Sequence, residues 1–405
     1  DKAQEVFDGS SERDLISWTA LIAAYAYRGR GHMALDLFAR MQEGGVSPNP
    51  ITFACVLKAC GHMRFISKGE QIHAHIASRK GNLDLGEHKV TLGNALVDMY
   101  AKCGMVGKAH RTFDQLPAKD IVTWNILVTA YAHHEHGDEA LKCFSQMQNE
   151  GFLPDVVTFS SVLKACSDVG SLEKGEEIHM EVRKQGLLEN STVIGNALVD
   201  MYAKCGVLRK AQEVFEGLPA PDAISWTTLI TGYAQLGRVR NAFDQFRKML
   251  AQGIMPDIVT FLVLLTACSH AGLVEEGQIY LDSMMNTYCL SPTLEHFTCM
   301  VDLFTRAGHF DRAIIIIEKV PPCDCLELWL VLLGACRKWI NIELGRWAFE
   351  NAVQLDENNG SLYVCMSDIY AAAGMQEEIA KIEALRMRNG VWNIPGHSLW
   401  TIDGG

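Results

Sequence analysis

"GNALVDMYAKCG" occupies residues 93–104, and the same twelve letters return unchanged at 195–206, 102 residues later. Two copies without a substitution mean two identical environments, which a chain achieves by repeating a structural unit rather than by building independent domains. Tyr100, Ala101 and Gly104 of the first copy are then most simply packing residues that meet the same neighbours each time.

Working outward, a shift of 102 recovers two more recurring segments. "IVTWNILVTAYAHHEHGDEALKCFSQMQNEGFLPD" (121–155) aligns with residues 223–257 and 15–49, each 35 long. "VVTFSSVLKACSDVGSLEKGEEIH" (from 156) aligns with the stretches beginning at 50 and 258, in units of 36, 40 and 36. The quoted stretch itself lies in units of 31 residues, 90–120 and 192–222. Inside a unit, apolar and small residues fall at helical intervals, as at Trp124, Leu127, Ala130 and Tyr131, followed by a Gly-bearing break and then Ala140, Leu141 and Phe144. Each unit therefore predicts two antiparallel helices. Neither can bury its apolar face alone, so the fold class expected is all-α, a right-handed superhelical α-solenoid of stacked helix-turn-helix repeats.

Composition narrows the classes. Hydrophobic residues make up 48% of 405, yet the longest apolar run, near Leu328–Leu333, is far short of the ~18 residues a membrane helix requires. No membrane association is expected. Several of the 13 Cys recur at equivalent positions (Cys60, Cys166, Cys268; Cys103, Cys205), the behaviour of small core thiols in a reducing compartment. Net charge is −12, and phosphate binding rewards clustered Lys and Arg, so a nucleic-acid partner would require a local basic groove. Lys58, Lys102, Lys164 and Lys204 recur near first-helix ends and could supply phosphate contacts or only solubility. Residues 1–14 match 209–222 from the middle of a unit onward, so any targeting segment is expected upstream.

With its 35-, 36- and 31-residue units, "VTWN…PD", "VLKAC…G…IH" and "NALVDMYAKCG", the chain closely resembles the P, L and S motifs of plant pentatricopeptide repeat proteins of the PLS class. The resemblance implies a partial S motif at 1–14, then P 15–49, L 50–89, S 90–120, P 121–155, L 156–191, S 192–222, P 223–257, L 258–293 and an S-type motif at 294–325. Residues 326–393 look like two tetratricopeptide-like E motifs, and 394–405 like the PG box that precedes a DYW deaminase domain, with His397 and Leu399 where Cys and Trp are usual.

By the same resemblance, the fifth and last residues of a motif read one base of a single-stranded RNA. They are Thr19/Asn49, Asn94/Asp120, Asn125/Asp155, Asn196/Asp222 and Thr227/Asp257, all short groups with donors or acceptors. In the family's code Asn with Asp implies uridine over cytidine, Thr with Asp guanosine and Thr with Asn adenosine, giving A-n-U-U-n-U-G-n-n for 15–325. The L-motif pairs Ala54/Lys89, Ser160/Ser191 and Leu262/Thr293, and Thr298/Cys325, offer little readout. The resemblance also implies that second residues Ile16, Thr91, Val122, Val193 and Ile224 sandwich the bases. A plainer alternative stands beside each: Asp or Asn at a motif's end can cap the next helix, and β-branched residues can pack at a helix start.

A deaminase would need His-x-Glu with Pro-Cys-x-x-Cys to hold zinc. His133-His134-Glu135 and His179-Met180-Glu181 fit the first pattern by letter, both expected inside repeat helices, while Cys323-Asp324-Cys325 is one residue too short for the second. "AHHEHGDEA" is better read as a solvated link, and no cofactor, metal or catalytic residue is expected.

The function implied is site recognition for C-to-U RNA editing in a mitochondrion or chloroplast. Its partners would be an organellar transcript, multiple organellar editing factor proteins and a DYW-type deaminase acting in trans or from a further domain. Splicing or transcript protection is the nearest alternative, and a tetratricopeptide-like peptide scaffold, with a Lys/Arg clamp or an apolar groove, is another.

Overall fold

The computed structural model describes residues 2–9, 14–78, 89–189, 191–320 and 326–390. Those residues form twenty-three helices and no strand, so the all-α expectation holds. Residues 394–405, with His397 and Leu399, and the segment Cys323-Asp324-Cys325 lie outside the described residues.

The chain divides into two compact units, Asp1–Ala220 and Pro221–Gly405. In the first unit the helices that open each motif, Leu15–Tyr27, Pro50–His62, Lys89–Lys102, Ile121–His133, Val156–Val169 and Thr192–Lys204, pack in a row, each on the next. The second helix of each pair packs on its own partner and on the opening helix that follows. In the second unit, Ala223–Gln235, Ile258–Ala271, Leu294–Arg306, Leu326–Trp339 and Gly360–Ala372 form a row of the same kind. Each unit is thus a solenoid stack, whose stability is nearly a sum over neighbouring repeats.

The quoted stretch shows why the sequence folds this way. Leu96, Val97, Met99 and Tyr100 face the core of Lys89–Lys102, and Gly104 stops the helix at φ +76°, as Gly206 does at +81° in the second copy. Gly93 and Gly195 serve closeness: a Cβ there would lie 2.6 and 2.2 Å from a methyl of Leu116 and Leu218. Further along, Phe113 meets Trp124 edge to face at 4.6 Å, joining one motif's second helix to the next motif's first. Cys60, Cys166 and Cys268 are fully buried, and burial pushes each thiol up to about 12, so they are neutral packing groups.

Neighbouring motifs are also tied by polar pairs. The Nδ1 atoms of His73, His110 and His179 lie 2.8, 2.7 and 2.8 Å from the hydroxyls of Tyr100, Tyr131 and Tyr202, each across a motif boundary. Lys108 with Glu70 and Lys210 with Glu176 add ion pairs beside two of them. His179 is therefore committed to packing, and burial holds its pKa below the usual imidazole value. The other His-x-Glu corrects the expectation of a helical site. His133 ends its helix, while His134 caps it and Glu135, at φ 61°, makes the turn before Gly137–Asn149. His134 is partly engaged, its Nε2 lying 3.1 Å from the Ala101 carbonyl.

Candidate nucleic-acid interface

The last residue of a motif sits immediately before the next opening helix, and there it caps. The side chains of Asp14, Asn49, Asp120, Asp155, Asp222 and Asp257 each accept the backbone N–H three residues on, at 2.8–2.9 Å. At Asp120, Asp155, Asp222 and Asp257 a Thr or Ser returns the bond to the cap's own N–H, closing a capping box. Burial pushes the Asp120 carboxyl up, but bonds from the Thr123 N–H and hydroxyl and from the Asn94 amide outweigh it and leave its pKa below the ordinary value. In Asp222 the Ser225 N–H is the largest influence, and the pKa is again lowered.

Capping leaves carboxylate lone pairs for a second partner, and in two motifs that partner is the motif's own fifth residue. Asn94 Nδ2 donates to Asp120 Oδ1 at 3.1 Å. Asn125 Nδ2 reaches both oxygens of Asp155 at 3.0 Å. The capping alternative and the pairing are both realised in the same side chains.

Where the fifth residue is Thr, the structure brings the pair together through a third group. Thr19 Oγ1 lies 2.7 Å from Thr52 Oγ1, which donates to Asn49 Oδ1 at 2.8 Å. Thr227 repeats this with Thr260 at 2.7 Å and Asp257. Asn196 belongs to the first unit and Asp222 to the second; the Asn196 Oδ1 is buried and has no hydrogen-bond partner among the described residues. Thr298 turns to its own helix, bonding the Leu294 carbonyl at 2.9 Å, and Ser160 does the same with Val156.

The second residues are not packed at helix starts. Ile16 and Ile224 are 76% and 63% exposed, Val193 and Val122 less so at 58% and 49%, and Thr91 is exposed. Sequence reasoning missed their L-motif counterparts Ile51, Val157 and Val259, which are exposed in the same way. Their shared register with Ile16 and Val122, second in the motif, is the signal that marks them. Val122 and Val157 line one groove with Asn125, Asp155, Thr129 and Lys102, about 820 Å³ in volume. Its lining mixes apolar Ile126 and Ala130 with the charged Arg64, Lys102 and Asp98.

Most of the recurring lysines are spoken for within the protein. Lys102, Lys164 and Lys204 pair with Asp98, Asp168 and Asp200 one turn away, at 2.7, 3.0 and 2.8 Å, and Lys58 lies over the Tyr27 ring at 3.8 Å. Among the described residues no group of three His, Cys, Asp or Glu is placed to hold a metal ion, and no helix is long and apolar enough to cross a membrane.

A stack of helical hairpins with polar residues and an exposed β-branched residue at fixed places in successive repeats defines a modular-repeat protein. The sequence assigns it to a family. The chain matches the PPR repeat family over residues 13–62, 119–168 and 221–270, the PPR repeat over 94–121, 157–187, 196–219 and 259–288, and the E motif over 339–401. It is 37% identical over 392 residues to the pentatricopeptide repeat-containing protein At2g33680 of Arabidopsis thaliana, covering 96% of this chain and 53% of that one. It is 36% identical to At4g38010 of the same plant, covering 98% and 70%, and 37% identical to its protein CRR2, chloroplastic, covering 98% and 60%. This chain belongs to the pentatricopeptide repeat family. The chain spans little more than half the length of some of these relatives. Among solved structures, PPR10 in complex with an 18-nt psaJ RNA element resembles it with a TM-score of 0.57 and 19% identity, over 93% of this chain and 61% of that one.

Proposed function

We propose that the chain binds single-stranded RNA in a plant organelle, reading one base per readable motif, and marks a transcript site for C-to-U editing. The observation that carries the reading is the Asn125–Asp155 pair, hydrogen-bonded at 3.0 Å in a groove walled by Val122 and Val157. With Nδ2 bound to the carboxylate, Asn125 keeps one N–H and one oxygen lone pair, the donor and acceptor that a uracil edge demands. Val122 and Val157 would sandwich the base, as Ile16, Val193 and Ile224 would in their motifs. The same reading assigns bases to Thr19/Asn49, Asn94/Asp120, Asn196/Asp222 and Thr227/Asp257.

RNA binding is supported by PPR10, whose structure holds an RNA, and an organellar site by relatives named chloroplastic or mitochondrial. Editing is favoured over splicing or transcript protection by the E-motif match at 339–401. The deaminase would come from a DYW-type domain elsewhere, and multiple organellar editing factor proteins would be further partners. A peptide scaffold of the carboxylate-clamp kind fits less well, because such a clamp needs free cations and Lys102, Lys164 and Lys204 already hold aspartates.

The test is binding of an RNA carrying A-n-U-U-n-U-G beside the same RNA with A and G exchanged at the Thr19/Asn49 and Thr227/Asp257 sites. Loss on exchange, recovered by combining Asn49→Asp with Asp257→Asn, is the expected result. Equal binding of both RNAs would sink the assignment of bases.

A further inference from the structure

In this chain the third residue of a motif follows the last residue of the motif before it. After Asp14, Asn49, Asp120, Asp155, Asp222 and Asp257 it is always Ser or Thr; after Lys89, Ser191 and Thr293 it is Leu92, Ile194 and His296. Helix capping explains a hydroxyl next to an acidic cap. It does not explain the hydroxyl's other partner. Thr123 Oγ1 lies 2.6 Å from Asn94 Oδ1, and Thr158 Oγ1 lies 2.5 Å from Asn125 Oδ1.

The geometry around each asparagine is a two-sided lock. Thr123 takes the Asp120 backbone N–H at 3.1 Å, so one lone pair is used and its proton faces Asn94 Oδ1 and, at 2.8 Å, Asp120 Oδ1. The amide is gripped on its nitrogen by the carboxylate and on its oxygen by the hydroxyl. Turning it over would set Oδ1 against a carboxylate and forfeit the hydroxyl's proton. Thr158 arranges Asn125 and Asp155 in the same manner. Beside a Thr there is no amide to orient: Thr260 also lies 2.8 Å from the Asp257 carboxylate, and either hydroxyl of the Thr227–Thr260 pair can donate to the other.

We propose that Thr123 and Thr158 are positioning residues for base specificity: each fixes, from the following motif, the amide orientation of Asn94 or Asn125 in the motif before it. This rests on the RNA reading above. The unit that specifies a base is then three residues spread over two motifs, the fifth and last of one and the third of the next.

The experiment uses the full chain, with A-n-U-U-n-U-G RNAs carrying each of the four bases in turn opposite Asn94 and, separately, opposite Asn125. Thr123→Val should lower the uridine-over-cytidine ratio opposite Asn94 about fivefold, the order expected for one neutral hydrogen bond, and leave the ratio opposite Asn125 unchanged. Thr158→Val should do the reverse, and Thr123→Ser should keep the wild-type ratio. A uniform loss across all four bases, or an unaltered ratio in a folded Thr158→Val chain, would reduce the hydroxyl to a helix cap and overturn the proposal. If the wild-type chain discriminates at neither position, the RNA reading itself falls and takes this proposal with it; failure of the lock alone leaves that reading standing.

Discussion

Asp155 carries two duties in one carboxylate: it caps Val156–Val169 and holds the Asn125 amide. Asp155→Ala removes the cap and should cost about 1 kcal/mol of stability, seen as a lower urea midpoint, whereas Asp155→Asn keeps a capping oxygen and should cost much less. Asp120 makes a pH prediction. Its folded pKa is depressed, so its stabilisation is present above the ordinary carboxylate value of about 3.9 and is lost as pH falls through the folded value. The thermal midpoint should therefore drop as pH is lowered below about 4, and Asp120→Asn should flatten that drop; an identical acid profile in the variant would contradict it. The fifth and last residues were legible in the sequence because they vary inside a frame that repeats. Thr123 was not, because its partner Asn94 lies 29 residues upstream and its own spacing from Asp120 already had an explanation as a cap.

At the scale of the element, helix pairs touch through glycines whose neighbours differ in how far they can move. A Cβ on Gly175 would meet Met201 Sδ at 2.5 Å, the flexible middle of an unbranched chain. On Gly137 it would meet Val169 Cγ1 at 2.5 Å and the Ala165 carbonyl oxygen at 3.0 Å, a branched side chain and a backbone that cannot yield. Gly137→Ala should lose about 1–3 kcal/mol and Gly175→Ala distinctly less, measured by chemical unfolding; the reverse order would mean the backbone gives way more easily than the methionine. Element existence and type were readable from the 3.6-residue period, as in Ile121–His133. The link at His134–His136 was readable from its polar composition, but its exact boundary was not, since a run of His and Glu carries no strong helix-breaking residue before Gly137.

At the scale of the whole molecule the question is how an acidic chain would hold a polyanion. Its net charge is −12, and Lys102, Lys164 and Lys204 are each neutralised by an aspartate on their own helix. Each phosphate neutralised on a single strand contributes about −0.7 to the slope of log K against log salt. The slope here should be shallower than the roughly −2 that three free lysines would give, with apolar contact to the bases carrying more of the affinity; a steeper slope between about 50 and 200 mM salt would show the lysines exchanging partners. Repeat architecture was legible throughout because units of fixed length align end to end, whereas the ion pairs that mute the lysines depend on side-chain rotamers that a period does not encode. The capping role of the last residue has a further consequence. Asp, Asn and Ser are all competent helix caps, so on the proposed reading an exchange at Asn49 or Asp257 would change the ligand preference without dismantling the stack that displays it. Repeats built this way can drift, duplicate and be recombined toward new targets while each intermediate stays folded.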